Sequence, residues 1–505
     1  MRASGAQYSE CGRRARAAVN RASGGALYGL LGSGRTQEMV APALDAAIAA
    51  NRFGLGARPG ELARIGGDAR GWLAAQLAGG APRLQGGELK GSADILSQAE
   101  QLRRERHDAR ATGTAQNADV AAVLKIAQLY RPIYVNETNA RIGEALTMER
   151  PLIERLTYFW SNHFAVSVDK VAVFGLAGSF EREAIRPRVL GNFTDLLLAS
   201  TGHPAMLLYL DNQISAGPNS LLAQRAARHA SERRFGINEN LAREILELHT
   251  LGVAGGYTQA DVTSFAKVIS GWSIGANRGP LAGGSPGQFV FRPEMHEPGA
   301  QVVLAKRYAE DGMEQGLAVL RDLAQRSATA QFIATKLTRH FIADEPPPQA
   351  VERLARAFHD SNGDLPTVYR ALMGLRECWA QALAKFKTPC EYIISSLRGL
   401  QIPENFADQA RASFALLGQR IYAPGSPAGW PDRSADWDGS SAVMKRIEWA
   451  DALGQKMGAH RDAAQLAPEW LGAGMSAATH TSIARAASGS QALTLLLTAP
   501  EFMRR

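Results

Sequence analysis

Residues 238–252 read NENLAREILELHTLG, and this stretch constrains the fold most. Its apolar residues Leu241, Ile245 and Leu248 recur at i, i+4 and i+7, the period of a helix. Asn240, Arg243, Glu244 and Glu247 recur at i, i+3, i+4 and i+7 and form a second, entirely polar stripe. An amide, a guanidinium and two carboxylates then line up within about 11 Å along one helix axis. A solvated helix face usually carries long, mixed charges instead. The expectation is a helix over 239–251 buried on both faces, with its polar stripe turned into a cleft.

Composition bounds the rest. The chain has 505 residues, 46% hydrophobic and 21% charged, which suits a soluble globular protein with a large core. No apolar run reaches the roughly 18 residues needed to span a bilayer, so no transmembrane segment is expected. The net charge is +8, and residues 1–36 hold a large part of it, with six arginines against Glu10 alone. Elsewhere the positive charge is diffuse and no basic strand interleaves with aromatics, so nucleic acid is not an expected partner. Residues 1–40 read as a disordered basic tail. They lack the continuous apolar segment of a signal peptide, so the chain as written reads as cytoplasmic. Three cysteines, Cys11, Cys378 and Cys390, are too few and too widely spaced for a disulfide framework or a cysteine-based zinc site.

Along the chain, most segments carry helical periodicity between glycine- and proline-rich turns. Pro151 suits the first position of a helix that continues through LIERLTYFWSNHF. Thr258 and Asp261 resemble a capping box. Phe289-Val290-Phe291 is the best strand candidate, with a second at Gln301 to Leu304 beyond the turn at His296-Glu297-Pro298-Gly299. The fold class is therefore mainly α, a large multi-helical domain with one short β-hairpin insertion. Its organisation reads as an N-terminal helical half (41–275), a loop and hairpin (276–310) and a C-terminal helical half (311–505).

Eight stretches occur in a fixed order: RFGLGARPGEL, ERLTYFWSNHFAVS, FTDLLLASTGHPAMLLYLDN, GINENLAREILELHTLG followed by GGYTQADV, FVFRPEMHEPG, KLTRHFIADEPP, KTPCEYIISSLR and PGSPAGWPD. In this combination the chain resembles the bacterial domain-of-unknown-function 1800 family, from about residue 45 onward. The resemblance implies no activity. It does imply export, since many members resemble proteins with a leader, and a protein partner from a neighbouring sulfatase-like family.

The side-chain chemistry suggests a site on the central helix. Glu244 and Glu247 share one stripe and would serve as metal ligands, since hard divalent cations take carboxylate oxygen, or as an acid/base pair. Asn238, Asn240, Asp211 and Asn212 would orient a substrate, and Arg243 would hold an anionic group. His163, behind Tyr158, Phe159 and Trp160, and His296, in a turn after a strand, are candidates for proton transfer because imidazole titrates near neutrality. His249 falls on the apolar side and reads as a buried neutral histidine. Cys390 follows Lys387, which would depress its pKa, although Glu391 opposes this. The sequence thus predicts an enzyme, a metal-assisted hydrolase being the leading form. The alternative is a non-catalytic binding or assembly protein, in which the stripe is a buried ion-pair network.

Overall fold

Prolines and threonines set the starts of several helices in the computed structural model. The structure describes residues 44–86, 88–111, 118–228, 236–277, 282–380, 383–403 and 406–505. The basic tail expected over 1–40 lies outside them. Helix α1 (Ala118–Thr147) precedes α2 (Pro151–His163), which Pro151 opens at its first position. The central helix begins as α3 (Asn240–Glu244) and continues as a wider π-helical segment, Ile245–Thr250. Helix α4 (Gln259–Val268) starts at a complete Thr258/Asp261 capping box, as the sequence predicts. Further on come α5 (Ser327–Phe341), α6 (Pro389–Gly399), α7 (Ser440–Met457) and α8 (Gly489–Thr498). A second capping box, Thr388/Glu391, fixes the start of α6.

The mainly α class holds, and the β content is small. Strands β1 (Trp272–Ile274) and β2 (Phe289–Phe291) pair antiparallel, with Trp272 opposite Phe291. Strands β3 (Gln301–Val303) and β4 (Lys306–Tyr308) form a separate hairpin. Both segments expected as strands are strands, but each finds a different partner. Phe289 meets the Trp272 indole edge to face at 5.5 Å, which holds β2 against β1. The β3–β4 connection has only Leu304 and Ala305, at φ +52° and +63°. Two-residue turns with both φ values positive match the twist of a hairpin but suit Asn-Gly far better. Ala305→Gly is therefore expected to stabilise the protein by about 0.5–1 kcal/mol, read from the denaturation midpoint. No gain would mean that the turn relaxes without strain.

Two buried cores organise the helices. The larger gathers side chains from Ala46 to Trp379 together with Ala423, including Leu152, Ile153, Leu156 and Trp160 of α2. Each such side chain stabilises by roughly 1.5–3 kcal/mol on burial. The smaller gathers residues from Phe386 to Met503, joined by Leu55 and by Ile142, Ala145 and Leu146 of α1. In sequence, the seam between the two cores falls near residue 380. Arg398 of α6 bridges it. Its buried guanidinium pairs with Glu61 at 3.1 Å and donates to the carbonyls of Gly56, Ala145 and Met148. Among the described residues no helix is long and apolar enough to cross a membrane.

Candidate functional site

A cavity of about 170 Å³ opens at the seam. One stripe of α2 lines it, Arg155, Tyr158, Phe159, Asn162 and His163, the i, i+3, i+4, i+7, i+8 spacing of one helix face. Lys336 and His340, one turn apart on α5, face it from a second side. The first turn of α6 adds Cys390 and Glu391, and the 419–432 loop adds Tyr422, Trp430 and Asp432. Apolar side chains of both cores, Phe159 and Val166 from one and Leu55 and Phe414 from the other, complete the walls. Five of the eight sequence stretches thus converge here: RFGLGARPGEL through Leu55, ERLTYFWSNHFAVS, KLTRHFIADEPP, KTPCEYIISSLR and PGSPAGWPD.

The polar atoms form an ordered chain. His340 Nδ1 lies 3.0 Å from Asp432 Oδ2, and Arg155 Nη1 lies 3.5 Å from His340 Nε2. A guanidinium only donates and a carboxylate only accepts, so the network assigns the proton to Nδ1 and leaves a lone pair on Nε2. Burial holds His340 below the usual imidazole range, against the opposing pull of Asp432. His340 is accordingly neutral at pH 7. Asp432 also takes Lys385, which donates to its backbone carbonyl while its ammonium pairs with Asp344 at 2.5 Å.

Glu391 is the anionic centre of the same cluster. Its Oε1 lies 2.5 Å from Arg155 and 2.7 Å from Arg505. Its Oε2 accepts from Thr388 N at 2.8 Å, the second half of the capping box. Burial pushes this carboxyl up, but Arg505 and Arg155 outweigh it and hold it well below the carboxylate range. Lys387 points away, its ammonium donating to Ser395 Oγ at 3.1 Å and lying over the Phe502 ring. Burial brings it down to about 7. Burial also pushes the Cys390 thiol up to about 11, so the expected depression by Lys387 does not prevail. Cys378 and Cys390 are both free.

On the other wall, Arg141 pairs with Glu181 at 2.9 Å and stacks over the Tyr158 ring at 3.7 Å. Tyr422 donates to Glu181 at 3.1 Å while its own φ is +57°, a left-handed conformation that is costly for a bulky residue. Lys336 is different. No carboxylate lies within ion-pair distance of its ammonium among the described residues, and burial lowers it to about 8.

Of the residues that the sequence put forward for catalysis, substrate or metal, His163 alone lines this cavity, beside the Cys390 thiol weighed separately. It is buried, its Nε2–H donates to the His249 carbonyl at 3.0 Å, and burial with Lys336 and His249 nearby drives it well below the imidazole range. His249 is buried and neutral as expected, its pKa lowered by burial to about 3.

The central helix differs from its expected form. The π segment shifts its buried face to Leu241, Ala242, Ile245, Leu246, His249 and Thr250, because a wider turn advances fewer degrees per residue. Leu248 is left half-buried. The helix is not buried on both faces: Asn240 is exposed, and Arg243, Glu244 and Glu247 are half-buried. Arg243 pairs with Glu239 at 3.0 Å, so it locks neither carboxylate, and Glu247 accepts from Tyr257 at 3.1 Å. Burial and then Glu247 raise the pKa of Glu244.

Of the remaining predicted residues, Asn212, Asn238 and His296 hold backbone groups. Asn212 is buried and donates to the carbonyls of Ile269 and Trp272. Asn238 donates to Asp211 O at 3.3 Å and accepts from Asn240 N at 2.9 Å. Asp211 pairs with Lys170 at 2.6 Å. His296 is bonded through Nδ1 to Ser270 O at 3.1 Å, and its neighbour Glu297 clamps Asn219. Among the described residues, no three His, Cys, Asp or Glu side chains gather as a metal site.

Fold and cavity together define a class: a mainly helical domain whose two cores close on one amphipathic cavity holding an Asp–His pair and an uncommitted lysine. The chain belongs to the family described as Protein of unknown function (DUF1800), matched over residues 48–504. No curated protein and no solved structure matches it.

Proposed function

We propose that the protein is a hydrolase whose working site is the seam cavity, with His340 as general base. The observation that carries this reading is the Asp432–His340 arrangement: an anchored Nδ1–H and an Nε2 lone pair facing a partly apolar cavity. A neutral imidazole so oriented can take a proton from water as the oxygen attacks an acyl carbon, then return it to the leaving group. Asp432 fixes the tautomer and steadies the imidazolium that forms. Arg155, at 3.5 Å, makes a bond long enough for water to displace.

The test is a panel of ester and amide substrates assayed with the wild type, His340→Gln and Asp432→Asn, each checked for folding. Turnover that survives in both variants rejects the reading. Wild-type protein inert on the whole panel would favour the non-catalytic alternative, a binding or assembly protein working with a partner.

A second reading keeps the metal at Glu244 and Glu247. It is supported by the absence, among the described residues, of an arginine ion pair on either carboxylate and by the upward push of Glu247 on Glu244. Elemental analysis of purified protein is expected, on this reading, to find one divalent ion per chain that Glu244→Gln and Glu247→Gln release. Metal-free wild type, loaded with neither Mg²⁺, Mn²⁺ nor Zn²⁺ on dialysis, removes it.

A further inference from the structure

We propose that the Lys336 ammonium anchors the carboxylate of a small ligand with an apolar body, bound in the seam cavity. The proposal deepens the reading of that cavity as the working site and names its ligand class.

The argument starts from charge. Of the cations lining the cavity, Arg141 belongs to Glu181, Arg155 to Glu391 and Arg420 to Asp169, at 2.9, 2.5 and 3.3 Å. Lys336 also lines it and has no such partner among the described residues. The groups facing Lys336 do not neutralise it. His163 on α2 and His249 on the π segment are neutral, and Arg339 beside it is a second cation. Asp432 attracts it from a distance, but that carboxylate is already bonded to His340. An ammonium that is partly removed from water, with no anion beside it, is costly to keep charged. A bound anion removes that cost.

One free charge also sets the kind of anion. A phosphate dianion is usually gripped by guanidinium forks or several backbone N–H groups. Here the guanidinium groups of Arg141 and Arg155 are already spent on Glu181 and Glu391. A single ammonium matches a monoanion, and a carboxylate is the simplest one. The Phe159, Val166 and Trp430 walls then suit an apolar body.

Binding is expected to be linked to a proton. Burial holds the free amine near 8, and a carboxylate placed beside it raises that value again. Above the ligand carboxylate's own titration range near 4, affinity is therefore flat up to about pH 8 and falls as pH rises beyond it, by up to about tenfold per unit.

The experiment is calorimetric titration of the full chain with sodium benzoate and sodium hexanoate, with inorganic phosphate and benzylamine as comparison ligands. Lys336→Gln and Lys336→Arg are titrated after their melting curves are checked. Benzoate is expected to bind, to lose at least about tenfold in affinity in Lys336→Gln, and to keep most of it in Lys336→Arg. Three outcomes overturn the proposal: no carboxylate binding up to about 10 mM, equal binding by Lys336→Gln, or phosphate or benzylamine binding as tightly as benzoate. The hydrolase reading fails separately. Hydrolysis that depends on His340 without carboxylate binding sinks only the anchor. Benzoate bound at Lys336 without hydrolysis that depends on His340 sinks only the general base.

Discussion

Replacing Glu391 with glutamine is expected to destabilise the protein by about 3–5 kcal/mol, because it leaves two buried guanidinium groups without their anion. Arg155 and Arg505 are almost fully buried and share Oε1 at 2.5 and 2.7 Å. Glutamine keeps the shape and one acceptor oxygen, so part of the helix cap survives. The loss is therefore electrostatic, and a drop in melting temperature of several degrees should follow. The sign with pH is fixed. The folded carboxyl sits well below its ordinary value, so its stabilisation is complete above the unfolded range near 4.5 and is lost as pH falls toward the folded value. The gap between wild type and Glu391→Gln should be full at pH 7 and shrink below about pH 4.5. A melting temperature within a degree of wild type at pH 7 would show that Asp432 alone suffices to balance the cluster.

His340→Gln carries the second large effect, a fall in hydrolytic turnover of about a hundredfold to ten-thousandfold, the usual worth of a positioned general base. Folding should change little, since glutamine can still donate to Asp432. The wild-type rate should rise with pH through a base pKa below the ordinary imidazole value and level off before neutrality, because burial holds His340 in its neutral form. Asp432→Asn should cost a comparable factor for another reason. An amide in that place donates to Nδ1 and forces the proton onto Nε2, removing the lone pair from the cavity. A rate limb above pH 7, or turnover intact in both variants, would take the base away from His340.

Much of this fold is legible in the sequence because its signals are local. Pro151 and the Thr258/Asp261 box mark helix starts through groups three or fewer residues apart, and Phe289–Phe291 is a strand as its composition suggests. Strand partners are not local: Phe289–Phe291 pairs backward to Trp272–Ile274, across a glycine-rich stretch that no period describes. The π segment at Ile245–Thr250 is invisible to a 3.6-residue period, which is why Leu248 is read as core and Leu246 is missed. The site was harder still. Arg155, Lys336, Glu391 and Asp432 are separated by tens to hundreds of residues and meet only where the two cores abut. Signals did exist: Lys336 and His340 fall one turn apart, and the Arg155-to-His163 stripe follows helical spacing with polar residues among aromatics. Each looks ordinary alone, since a basic helix end and an aromatic helix face are both common structural features.

The position of the cavity on the seam has a thermodynamic consequence. A ligand touching side chains rooted in both cores binds only while those cores are docked, and its binding free energy is then added to their docking. Each core gains from the other's order through the shared guest, so occupancy ties two hydrophobic clusters into one cooperative unit. Ligand concentration thereby becomes a variable of the fold as well as of the chemistry.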